Sequence, residues 1–179
     1  MKLRRIVEIC LGCICAVVAS QQRSSSFASD KPLTVCAVIS HLDDYQGEQI
    51  AVHGLIFFTK ETSSINDLDE PEECNAISVR GKHWPAAIAI YAADTGADVD
   101  ASSRLAIAKA KKDSTLGLVG TVEGRLEARR HLRIDRNPAG GYIGNGYGMS
   151  RRFPARLDYR SVRNVQVLPL SETRYRPSN

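Results

Sequence analysis

The stretch Gln49-Ile50-Ala51-Val52-His53-Gly54-Leu55-Ile56-Phe57-Phe58 constrains the fold more than any other. It reads as one long strand. Ile50 and Val52 share a face, and Gly54 falls where the alternation breaks before Leu55 and Phe57. A period of two that stumbles at glycine is the mark of a strand that bends or is closely approached. Some seventy residues on the phrase returns as Gly117-Leu118-Val119-Gly120-Thr121-Val122-Glu123-Gly124-Arg125-Leu126. Two such strands in a chain of 179 residues point to a small, strongly curved β-barrel.

The material around them is ordered. Residues 1–20 have the pattern of a signal peptide. Lys2, Arg4 and Arg5 precede an uncharged apolar run from Ile9 to Val18, and Val18-Ala19-Ser20 offers small residues for cleavage. An uncleaved anchor is one alternative. A lipid anchor at Cys13, after Leu11-Gly12, is another. Residues 21–33 are polar and serine-rich and read as a flexible linker. Residues 34–169 make the folded domain, and 170–179 a polar, disordered tail.

Within the domain, Val35, Val38, Ile39 and Leu42 recur at helical spacing behind Thr34, a suitable N-cap. Asp43 to Gly47 turns the chain into the first strand. Strands are expected near Ile65, over Asn75–Arg80 and over Ala86–Ala92, with Trp84 plugging the core. A helix capped by Asp98 or Asp100 runs to about Lys112. The second long strand follows, then a loop rich in glycine between Arg133 and Met149. Two short strands, Pro154–Tyr159 and Ser161–Leu168, end the domain.

This order, and above all Tyr45-Gln46-Gly47-Glu48-Gln49-Ile50-Ala51-Val52-His53-Gly54 with its echo at Leu118–Gly124, resembles OB-type domains, specifically small exported bacterial proteins of this layout. The resemblance covers about Thr34 to Leu168. It implies a mainly β fold: a five-stranded OB-like barrel with an N-terminal helix and a helix before the fourth strand. It implies a periplasmic or secreted setting and carries over no catalytic residue.

Cysteine usage agrees with export. Once the leader is removed, with Cys10, Cys13 and Cys15, only Cys36 and Cys74 remain, and an even pair in an exported chain points to a disulfide. A metal site drawing on Cys36, His41, His53, Cys74 or His83 would lack any recognised ligand spacing, so no metal and no cofactor is assigned. The acidic run Asp67, Asp69, Glu70, Glu72 and Glu73 has no mid-loop glycine and reads as a solvated loop rather than a calcium site.

Charge divides the chain. Residues 21–100 hold five basic and thirteen acidic side chains; residues 101–179 hold sixteen and six. Ten arginines fall between Arg125 and Arg163. Two readings stay open: the arginines pair with the acidic segment of the first half, or they meet an anionic ligand. The ligand reading places Tyr142, Tyr147, Arg151, Arg152 and Arg156 at the binding face, with single-stranded nucleic acid or a glycan as partner. Gly144-Asn145-Gly146-Tyr147-Gly148 is no dinucleotide fingerprint, since no helix follows it. No catalytic frame is legible, and His41, His53, His83 and His131 stand apart. The function expected is therefore a non-enzymatic binding or interaction module of the bacterial envelope. A metal-dependent phosphodiester hydrolase and a purely structural envelope protein are the alternatives.

Overall fold

A computed structural model describes residues 31–58, 63–68, 74, 78–79, 82–93, 96–113, 115–136, 142–148 and 151–173. The leader, most of the linker, the acids at 69–73 and the last six residues lie outside them.

Five strands close the barrel: β1 (Gln49–Phe57), β2 (Ser63–Asn66), β3 (Ala87–Ala92), β4 (Leu116–Ala128) and β5 (Ala155–Pro169). β1 pairs antiparallel with β2, and β2 with β3. β3 runs parallel to β5, β5 antiparallel to β4, and β4 returns antiparallel to β1. The circuit 1-2-3-5-4-1 is the order of an OB-type barrel. The fold is mainly β, with an N-terminal helix α1 (Val35–Ser40) and, before the fourth strand, helix α3 (Ala101–Ala110).

The glycines of the two long strands sit where backbones crowd. A Cβ on Gly54 would strike the Asn66 carbonyl oxygen, and one on Gly124 the Asp158 carbonyl oxygen and the Tyr159 Cα. Side chains cannot be fitted at these crossings, so the curvature read from the sequence has a steric cause.

The core fills from every element. Val35 and Val38 of α1, Val52 and Ile56 of β1, Ile65, Ile88, Val122, Leu126, Leu157 and Val162 form one buried cluster. α1 begins as expected, with the Thr34 hydroxyl accepting from the Ala37 N–H. It ends earlier than expected: His41 leaves helical geometry, and a second short helix α2 (Leu42–Tyr45) follows before Gly47 turns at φ +80°. Leu33 and Thr34, the end of the expected linker and start of the domain, pair parallel to β1.

Of the expected Asn75–Arg80 strand only Ser78–Val79 lies within the described residues, and it pairs with Lys82–His83. The two short strands expected at the end are one. β5 is continuous, with its register shifting between Tyr159 and Ser161 and between Arg163 and Gln166. Asn164 takes φ +55° at the second shift. Such irregularities let a long strand bend round a small barrel without ending. The bend is also where α3 docks. Ser103, fully buried, accepts from the Val165 N–H at 3.1 Å and donates to Asp100 at 2.6 Å. Asp100 is the helix N-cap, and the hydroxyls of Ser102 and Ser103 hold its carboxyl well below the usual carboxylate range.

Candidate functional site

The loop from Arg129 to Pro154 joins β4 to β5, the position from which OB-type barrels reach ligands beside their second and third strands. It has its own scaffold. Ile134–Arg136 and Tyr142–Gly144 form a short antiparallel pair. Asn145 ties the loop base together: its side chain accepts from the Arg133 N–H at 2.7 Å and donates to the His131 carbonyl at 2.7 Å, and its N–H donates to the Arg133 carbonyl. Beneath lies Trp84, 2% exposed. Gly144 and Gly146 rest directly on its ring: a Cβ on either would collide with the indole and with the carbonyl of Arg151 or Phe153. Trp84 is buried, yet it stands outside the main core cluster and serves as the platform for the loop.

The five expected ligand residues fall into different settings. Arg151 and Arg152 are exposed. Tyr142 stands in the loop's second short strand, opposite Arg136. Tyr147 is half-buried, and burial pushes its hydroxyl pKa up. The guanidinium carbons of Arg129 and Arg156 lie 5.0 and 5.6 Å from the centre of its ring, in cation–π range. Arg156 sits at the start of β5 and is paired within the barrel, to Glu127 at 3.0 Å and Asp158 at 3.2 Å. Tyr91 of β3 approaches the same guanidinium at 6.0 Å and accepts the Gly148 N–H at 3.0 Å. Tyr147 and Arg156 therefore brace the loop against β3 and β4.

Sequence reasoning did not single out Tyr91, which reads there as one more apolar strand residue, nor Asn145, hidden among glycines. Nor did it place Arg129 and Arg130 at a cleft. A depression of about 450 Å³ opens between the N-terminal helices and the loop base. Ile39, Leu42 and Leu132 supply apolar lining, with Asp43 and Asp44 on one side and Arg129 and Arg130 on the other. Those acids and arginines form no ion pair with one another among the described residues.

Most of the acidic segment with which the sequence could pair the arginines lies outside the described residues. Arg156 and Arg163 find Glu127, Asp158, Asp98 and Glu123, all on or beside barrel strands. Arg129, Arg130, Arg133, Arg151 and Arg152 are exposed and form no ion pair with any described carboxylate. For metal chemistry, the one group of three ligand-bearing side chains among the described residues is Cys36, Asp67 and Cys74. Its sulfurs are joined to each other as a disulfide. His41 and His53 lie elsewhere, hydrogen-bonded to the Ala37 carbonyl and to Thr121.

Arg151 carries one further mark. Its φ of +50° is in the left-handed region, which costs an L-residue with a long side chain about 1 kcal/mol. Its N–H donates to the Gly148 carbonyl and its own carbonyl accepts from Gly146, and these bonds hold the conformation. Arg151→Gly is expected to hold stability or raise it by up to about 1 kcal/mol in denaturant unfolding, while Arg151→Val lowers it.

Compared with known proteins, the chain matches no family model, no curated protein and no solved structure.

Proposed function

We propose that the protein is an exported, non-enzymatic binding module of the bacterial envelope that takes an acidic glycan on its β4–β5 loop. One observation carries the reading. Five exposed arginines share a loop that Trp84 and Asn145 hold in place, and none has a described carboxylate partner. Guanidinium groups left in water beside a fixed backbone suit bidentate capture of carboxylate or sulfate.

The choice of glycan over single-stranded nucleic acid rests on two features. Base recognition in such folds depends on open aromatic faces. Here Tyr147 already carries two guanidinium neighbours. The adjoining cleft also sets Asp43 and Asp44 opposite Arg129 and Arg130. Carboxylates there accept from free sugar hydroxyls, which an oligodeoxynucleotide backbone does not offer, while the arginines meet the sugar's acid groups. The disulfide and the N-terminal pattern support the envelope setting. No helix among the described residues is long and apolar enough to cross a membrane.

The test is a titration of the full-length protein with a uronic-acid oligosaccharide and, separately, an oligothymidylate, at low and at physiological salt. Expected are saturable glycan binding that weakens with salt, and at least a tenfold loss in Arg151→Ala/Arg152→Ala with the melting temperature unchanged. Preference for the oligothymidylate would overturn the glycan. Binding of neither at low salt would overturn the module.

A further inference from the structure

Helix α3 leaves a gap against the barrel. A crevice of about 380 Å³ lies between them, within the size range of small-molecule sites. Its apolar lining comes from Phe58 at the end of β1, Val99 before the helix, Ile107 on the helix and Val162 on β5. Two cations also line it, Arg104 on α3 and Lys111 at its C-cap, about two turns apart. Both are exposed, and neither forms an ion pair with a described carboxylate.

The acids of the neighbouring elements are engaged elsewhere: Asp98 with Arg163, Asp100 with the first turn of α3, and Asp113 with Thr115. Tyr159 adds a phenol hydroxyl with no hydrogen-bond partner among the described residues, and burial keeps that hydroxyl protonated well above neutral pH.

We propose that this crevice is a second binding site, for a single-chain amphiphilic anion such as a fatty acid. The chain lies against Phe58, Val99, Ile107 and Val162. The head group is held by Arg104 and Lys111. Charge complementarity excludes a cationic head, and two unpaired cations beside an apolar slot are what a carboxylate on an alkyl chain matches. A bilayer surface is the poorer occupant. The large apolar side chain that α3 turns fully outward is Leu105 alone, and one leucine is no stripe for insertion. The site is independent of the β4–β5 loop and stands or falls without the glycan reading.

The experiment is calorimetric titration of the full-length protein with laurate below its micelle concentration. Butyrate and dodecyltrimethylammonium serve as controls for chain and for charge. Laurate is expected to bind one per chain, with both controls at least tenfold weaker. Ala108→Phe places a ring in the crevice from an exposed helix position and is expected to weaken laurate at least tenfold. Arg104→Glu/Lys111→Glu changes only exposed side chains, is expected to do the same, and decides the matter should the phenylalanine variant fail to fold. Laurate binding that survives the charge reversal, or equal binding of butyrate, overturns the site. Anionic-lipid vesicles bound equally by wild type and Ala108→Phe, but not by the charge-reversed variant, would make α3 a membrane-facing helix instead and also overturn it.

Discussion

Trp84→Ala is expected to destabilise the domain by about 3–5 kcal/mol and to abolish glycan binding with it. The size of the effect follows from what rests on the ring. The indole is 2% exposed, and the backbone at Gly144 and Gly146 lies against it more closely than any side chain allows. Removing it opens a cavity whose roof is the backbone of Gly144 and Gly146, which brings no side chain to fill the space. The bracing of Tyr147, Arg129 and Arg156 then loses its floor. Trp84→Phe provides the contrast. It keeps most of the ring and removes an indole N–H that has no hydrogen-bond partner among the described residues. Its cost is expected to be under half that of alanine. Urea unfolding followed by far-UV circular dichroism measures both, since the chain has a single tryptophan and fluorescence is lost in each variant. An alanine variant within 1 kcal/mol of wild type would mean that the loop is held by other contacts.

What could be read from the chain and what could not divide along physical lines. The barrel was legible because its sharpest constraint is local: glycines at 54, 120 and 124 mark where strands cross too closely for a Cβ. The helix starts were legible for the same reason, since Thr34 and Asp100 cap within three residues of themselves. The continuity of β5 was not. A strand that shifts register twice interrupts its own alternation, and Asn164 at positive φ looks like a turn. Nothing in the sequence singled out Ser103 of the alanine-rich helix. It is buried, and its hydroxyl accepts the Val165 N–H at the second register shift of β5.

The arginines show the same limit. Arg156 and Glu127 are far apart in sequence and become cross-strand partners only once the register of β4 and β5 is known. Counting charges by halves pointed towards the acidic segment around Asp67–Glu73. Residues 69–73 of that segment lie outside the described part of the chain, and Asp67 accepts the Cys36 N–H. Four of the five expected ligand residues fall within one connection, where glycine and arginine density is high, and Arg156 falls at the start of β5. Which of them brace the loop and which face water depends on packing against Trp84 and Tyr91, and no local pattern carries that.

Loss of the Cys36–Cys74 bridge is the second large effect expected, about 4 kcal/mol, or a fall of roughly 10–20 °C in melting temperature. The two Cα atoms lie 5.2 Å apart across a sequence separation of 38, so the bridge closes a long loop that includes all of β1 and β2. In the chain-entropy account, the stabilisation comes from the freedom that this loop loses in the unfolded chain. Folded-state contacts near the bridge temper the local damage. The Asp67 carboxylate accepts the Cys36 N–H at 2.7 Å, and Val35 and Val38 on either side of Cys36 are fully buried, so α1 keeps its seat when the sulfurs are parted. Reduction is therefore expected to lower stability without changing the fold: the far-UV spectrum of Cys36→Ala/Cys74→Ala at low temperature should overlay that of wild type while its unfolding midpoint drops. Intact mass before and after reduction and alkylation establishes the bridge itself. A double variant that loses under 1 kcal/mol would show that the unfolded chain is already compact around this loop, leaving the bridge little entropy to remove.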